Sequence, residues 1–316
     1  MALVNVQFQI DDEQLIAGPQ GPQGEPGLQG EQGLQGPQGP AGPAGSGGSS
    51  EIVDIMDFGG SLSGDNTAAL NAALAHCIAN QKTKIGFQKG FYRFNSAPNA
   101  IDGITLIGQG KTATYLVRDY SGNFLNFGGG FTGGGGAKDM GILAGAGTSG
   151  GYGLHLKGQD GVGSADWCTL EHLYISSNGG TFAVPIMIDG AGRTTPQGVR
   201  SVRIVNCDVF AGTAAAIWVA NGVATFMDSV GTYPAGGTNG NVVIGTGSTI
   251  VSMSNMNIQG TLNLSDCLKI TFQGHTISFI AASSASGVFC NGTRSNSGTY
   301  SNGMAGGTFV INMVPT

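Results

Sequence analysis

A hydrophobic motif of the form φ-x-x-φ-x-φ, where φ is apolar, recurs along the chain after residue 100. It is read at Ile101-Ile104-Leu106, Ala137-Met140-Ile142, Leu170-Leu173-Ile175, Ile204-Cys207-Val209, Met253-Met256-Ile258 and Phe272-His275-Ile277. Successive starts differ by 36, 33, 34, 49 and 19 residues, and the 49 spans about two units, with Phe226 in the missing one. Between these anchors lie short alternating pieces that read as second strands: Leu154-His-Leu156, Ile186-Met-Ile188, Ile217-Trp-Val219 and Val242-Val-Ile244. Units of about 20–35 residues that each leave an apolar face bare are expected to stack as coils of a solenoid with parallel strands. The third motif position is Asp139, His172, Asn206 and Asn255, short polar residues suited to a bend between two strands. Ahead of the repeat, Asp65 can cap a helix over Asn66–Asn80, with Leu70, Ala73, Leu74, Cys77 and Ile78 on one apolar face.

Composition sharpens this picture. Gly18–Gly48 carries glycine at every third position without a miss, with Pro and Gln between. Only glycine fits at the axis where three polyproline-II strands wind together, so the segment predicts a collagen-like triple-helix stalk, about 90 Å long at ~3 Å per residue, and hence a homotrimer. Glycine totals 58 residues, well beyond the needs of the stalk, which favours many short strands and tight turns. Charged residues make up only 10% and net charge is −6, so no basic surface for nucleic acid is expected. No stretch reaches the ~20 apolar residues of a membrane span, so no membrane insertion is expected. The first residues do not read as a secretion signal, and Cys77, Cys168, Cys207, Cys267 and Cys290 read as buried thiols of a protein made in a reducing cytosol.

Residues 51–110 resemble the start of pectate-lyase-like β-helix domains, as found in phage tailspikes and polysaccharide lyases. The resemblance is carried by Asp54, Phe58, Gly59, Gly64, Asp65, Asn66, Thr67, Ala68, Ala69, Ala72, Phe87, Gly90, Tyr92, Gly108 and Gly110. The loop before Asp65 is shorter than in that family, and Gln88 or Lys89 stands where its turn has proline. The resemblance implies an all-β, right-handed parallel β-helix whose end is capped by the short α-helix. The implied organisation is an attachment segment (1–17), the stalk (18–48), a linker and opening segment with the helix (49–100), the β-helix (101–285) and a C-terminal cap that knits the trimer (286–316).

Enzymes of that family cut polysaccharides, which calls for two carboxylates in hydrolysis or a base in elimination. Carboxylates are few in the body, and Glu171, Asp166 and Asp189 are the catalytic candidates. Lys157-Gly158, Asp189-Gly190 and Asn221-Gly222 recur at a spacing of 32 residues and are expected to lie on neighbouring coils. Lys157, Asp189 and Asn221, with Arg193 nearby, form either a surface ion pair or a strip for sugar hydroxyls. Trp167, in a loop, is a candidate stacking platform for a sugar ring, and Trp218, in an apolar strand, belongs to the core or a trimer interface or forms a second such platform. No spacing suggests a metal or another cofactor. Three functions remain open. The chain is a tailspike or tail fibre that recognises a bacterial surface polysaccharide, or a depolymerase of the same architecture, or a decoration fibre of the virion. Its expected place is the virion, attached through residues 1–17 after synthesis in the host cytoplasm.

Overall fold

The computed structural model describes residues 51–128, 134–159, 163–192, 199–245, 248, 250–264, 270–282, 288–294, 300–302 and 309–315; at 159, 163–164, 191–192 and from 270 onward, only the backbone is described. The stalk and the attachment segment that precedes it lie outside these residues, as do Arg193 and the 160–162 loop.

The body is a right-handed parallel β-helix. Three columns of strands run along it. The first stacks Ile52–Asp54, Lys84–Gly86, Thr105–Ile107, Gly136–Ala144, Thr169–Ser177, Val199–Val205, Gly222–Asp228 and Val251–Leu264 in parallel. Its inward row reads Val53, Ile85, Leu106, Ala137, Leu170, Ile204, Met227 and Met253, all buried. The second column has Tyr92, Leu116, Ile142, Ile175, Val209, Thr232 and Ile258 as its inward row. The third stacks Leu125, Leu154, Ile186, Ile217, Val242 and Leu262, so the four second strands expected from the sequence lie one above another. Each rung lies about 4.8 Å from the next, and closing the stack removes apolar surface worth about 25 cal/mol per Å².

The bends explain the polar third position of the motif. Asp139, His172, Asn206 and Asn255 all have left-handed backbone, with φ between 51 and 55°. Short polar residues tolerate that region because their side chains hydrogen-bond locally. His172 Nδ1 lies 2.7 Å from Asp139 Oδ1 on the adjacent coil.

Several expectations need correction. The coil missing from the motif count does contain Phe226, but its inward anchors are Met227, Val230 and Thr232, and Phe226 is 42% exposed on the outer surface. Ser229 forms that coil's left-handed bend, and the Thr232 hydroxyl is buried because it donates to Gly240 O at 2.6 Å. Ile101-Ile104-Leu106 is out of phase with the other motifs: Leu106 aligns with Ala137, and the partner of Ile142 in that coil is Leu116. The helix α1 (Thr67–Ala79) buries Leu70, Ala73, Leu74 and Cys77 against the first coils but leaves Ile78 67% exposed. The N-cap residue is Asn66, whose side chain makes no cap bond, rather than Asp65; Asp65, one residue earlier, accepts through Oδ1 from the Thr67 amide at 3.0 Å and the Thr67 hydroxyl at 2.7 Å.

Cys77, Cys168 and Cys207 are buried and free, and burial pushes the Cys168 and Cys207 thiols up to about 12. Among the described residues, no helix is long and apolar enough to cross a membrane.

Candidate functional site

The outer surface of the first column carries a groove of ≈ 490 Å³ crossing several coils. That volume falls within the ~300–1,000 Å³ typical of small-ligand sites. Two outward rows form it, because side chains alternate along each strand. One row is Thr169, Arg203, Phe226 and Ser252; the other is Glu171, Val205, Asp228 and Ser254. Thr169, Arg203, Phe226, Asp228, Ser252 and Ser254 line the groove, and Trp167 and Ser201 close its edge.

Trp167 sits at a bend with φ 57° and is 61% exposed. The corresponding bends of the following coils are Ser201 and Ala224, also left-handed, and Gly134 occupies the preceding one. A bulky residue in this backbone region is an outlier that costs roughly 1–3 kcal/mol. Its neighbour Asp166, with a side chain only 6% exposed, accepts from Arg200 through the amide at 2.8 Å, Nε at 3.1 Å and a terminal nitrogen at 2.8 Å. The Arg200 guanidinium then lies 5.8 Å from the Trp167 ring centroid. Asp166 and Arg200 therefore hold the indole in place from the strand side.

The electrostatics of the groove are set by local pairing. Asp228 Oδ1 takes the Ser254 hydroxyl at 2.6 Å and Asn255 Nδ2 at 3.0 Å, and Oδ2 takes Ser229 at 3.4 Å. The Ser254 hydroxyl, more than any other group, holds the Asp228 carboxyl below the usual carboxylate range, against the smaller opposing effect of burial. Glu171 is engaged by Lys138 Nζ at 3.0 Å, a contact that raises the lysine above its ordinary value.

The structure does not gather the three candidate carboxylates. Glu171 and Asp166 belong to the first column and its edge. Asp189 lies on the third column, in register with Lys157 and 3.4 Å from His155 Nε2 through Oδ2. The 32-residue alignment holds for Lys157 and Asp189 but fails one coil later, where Ala220 rather than Asn221 stands beside Asp189. Asn221 instead forms a bend with φ 50°. Trp218 faces outward on the third column, 37% exposed, between Met187 and Val243 in register. Among the described residues, no group of three or more His, Cys, Asp or Glu side chains could hold a metal ion.

Sequence reasoning missed Arg203, Phe226 and Asp228 as site residues. Their signal was present: each neighbours an inward-facing residue of the first column, Ile204 or Met227, and so must face out. It also missed an aromatic row on the second column, where Tyr174 and Phe210 lie 5.4 Å apart and Phe210 and Tyr233 lie 5.1 Å apart. Those rings pack on one another at tilts of 57° and 31°, whereas Trp167 is 61% exposed.

No family model and no curated protein matches this chain. Among solved structures, the A-module of Azotobacter vinelandii mannuronan C-5 epimerase AlgE4 is similar with a TM-score of 0.52 at 13% identity, over 80% of this chain and 79% of that one. ORF18 of Geobacillus virus E2 gives 0.43 at 12% identity, over 84% and 60%. The tailspike of Acinetobacter phage vB_ApiP_P1 gives 0.42 at 12% identity, over 84% and 62%. The likeness to the epimerase module shows the fold, a parallel β-helix.

Proposed function

We propose that this chain is a trimeric bacteriophage tailspike or tail fibre protein that recognises a bacterial surface polysaccharide through the groove of the first column. In this reading the Gly-x-x segment 18–48 is a collagen-like stalk, residues 1–17 attach it to the virion, and the β-helix presents the groove. The observation that carries the binding function is Trp167, an exposed indole in costly left-handed backbone, buttressed by Arg200 at the mouth of a groove of hydroxyls and charged groups. Aromatic faces pack on the apolar faces of sugar rings, and hydroxyl and charged groups beside them read the sugar hydroxyls. A polysaccharide ligand is in keeping with the epimerase named above, a mannuronan enzyme of the same fold.

A depolymerase is favoured by one observation. Glu171 and Asp228 face outward in one row, separated by Val205, which places their backbones two rungs or roughly 9–10 Å apart. Inverting glycosidases hold their carboxyl groups about 6.5–9.5 Å apart. Such an enzyme needs one carboxyl that stays protonated to act as acid. Here the Ser254 hydroxyl above all, with Asn255 and Ser229, holds Asp228 in its ionised form, which unsuits it for the acid role. These contacts favour binding without cleavage.

The test is incubation of the full-length protein with surface polysaccharide from a strain it adheres to, followed by gel filtration and absorbance near 235 nm. The expected result is intact glycan that co-elutes with the protein. Shortened chains with the absorbance would identify a lyase, and shortened chains without it a hydrolase, with Glu171 and Asp228 the first pair to change. Trp167→Ala is expected to weaken binding by about 1–2 kcal/mol, roughly 5- to 30-fold, with little change in melting temperature. Unchanged affinity in that variant would move the site away from this groove.

A further inference from the structure

We infer that Arg203 is an anion-recognition point and that the glycan taken by the groove is acidic, carrying a carboxylate, sulfate or phosphate group in its repeat unit. This inference rests on the groove being the glycan site.

The chain has only 13 Lys and Arg residues. Lys84 pairs with Glu51, Arg93 with Asp119, Lys111 with Asp208, Lys138 with Glu171 and Arg200 with Asp166. Arg203 makes no ion pair and no side-chain hydrogen bond with the described residues. It is exposed, and it occupies the middle of the groove row between Thr169 and Phe226.

Carboxylates stand nearby, yet each is committed elsewhere. Asp166 is chelated by Arg200, Glu171 is taken by Lys138, and Asp228 is held by Ser254, Asn255 and Ser229. The three neutral donors on Asp228 keep that carboxylate at its own bend and away from the guanidinium. The planar fork of Arg203 is therefore left to a ligand. A guanidinium fork matches a carboxylate, sulfate or phosphate with two parallel hydrogen bonds, and such charge-assisted bonds are about twice as strong as neutral ones.

The same geometry orients the glycan. The anionic group lies over Arg203 on the Thr169 side. Neutral hydroxyls lie toward Asp228 and Ser254, where a second anion would be repelled.

The experiment uses the fluorescently labelled full-length protein on a broad panel of bacterial strains, then polysaccharide extracted from a strain that it decorates. Affinity is measured for the native glycan and for samples with carboxyl groups reduced, with sulfate removed and with phosphate removed. One of the three treatments is expected to weaken wild-type binding by about 10- to 100-fold. Arg203→Gln should show the same loss on native glycan and no further loss on the treated sample, while Arg203→Lys retains part of the affinity. Trp167→Ala should weaken native and treated glycan by the same factor. If all treated glycans bind the wild type as well as the native one, or if Arg203→Gln binds native glycan normally, the role of Arg203 is overturned while the Trp167 result still upholds the groove. If Trp167→Ala and Phe226→Ala bind normally, the groove itself is overturned. A protein that decorates no strain of the panel overturns both.

Discussion

Arg118→Ala is expected to destabilise the β-helix by about 3–5 kcal/mol, the largest stability loss of any single side-chain truncation considered for this protein. The Arg118 side chain is fully buried. Its guanidinium donates to Gly122 O, to Gly150 O at 2.6 Å, to Thr181 O at 2.7 Å and to the Thr148 hydroxyl at 3.3 Å. Those acceptors belong to the loops of three successive coils, so one side chain ties three turns of the solenoid together. The group also lies 4.5 Å over the Phe182 ring, and burial pulls its pKa below the ordinary arginine value. Alanine removes every donor and leaves three part-buried carbonyls without that partner, each costing up to about 1–3 kcal/mol to the extent that water does not replace the lost bond. Arg118→Lys keeps a charge but offers a compact head that cannot span three loops, so roughly half the loss is expected. Thermal unfolding of the full-length variants checks this. At about 2–4 °C per kcal/mol for a domain of this size, the alanine variant should melt at least 6 °C below wild type. A shift under about 2 °C would mean that the loops are held by other contacts.

The stacking that Arg118 secures was partly legible in the sequence. Wherever the inward position was filled by an aliphatic residue the coils could be counted, as at Leu170, Leu173 and Ile175. The count failed where a threonine took such a position. Thr232 is buried because Gly240 O receives its hydroxyl, a partner eight residues away that no hydrophobic pattern reveals. Phe226 drew attention instead because it is large and apolar, although its neighbour Met227 is the residue that faces in. The polar bends were legible for a physical reason: left-handed backbone recruits Asn, Asp and His regardless of what packs around it.

The site was less legible, because it is assembled across coils whose lengths vary. Trp167 could be singled out from one loop alone. Arg203, Phe226 and Asp228 join it only through the register of three successive rungs, and an error of one residue turns a side chain to the opposite face. The coil containing Asn221 shows the effect: the 32-residue spacing placed it beside Asp189, whereas one residue of slippage puts Ala220 there. Asp166 was read as a candidate acid from its type and position. The structure engages it with Arg200, a residue 34 positions away that lies one coil further on.

Gly136→Ala is expected to have the second largest effect, and it links the fold to the groove. Gly136 has φ 136°, and a β-carbon there would lie 1.9 Å from Thr169 O and 2.8 Å from the carbonyl carbon. Both atoms are backbone of the next coil, so no side chain can swing aside. Hydrogen bonds fix the rung from either side: Gly136 N donates to Ile104 O at 3.1 Å and Thr169 N donates to Gly135 O at 3.0 Å. Alanine must therefore adopt unfavourable backbone and also push the 169 rung outward, at an expected loss of about 3–5 kcal/mol. Gly134 provides the control. Its φ is 79°, yet a β-carbon there meets nothing within 4 Å, so Gly134→Ala should cost only the conformational term of about 1 kcal/mol. Because Thr169 lines the groove and Trp167 lies two residues before it, Gly136→Ala should also weaken glycan binding in protein that remains folded, whereas Gly134→Ala should bind nearly normally. Melting curves and binding measured on both variants separate the two contributions. Equal losses at the two positions would show that backbone strain alone sets the cost and that the close approach of the coils adds nothing.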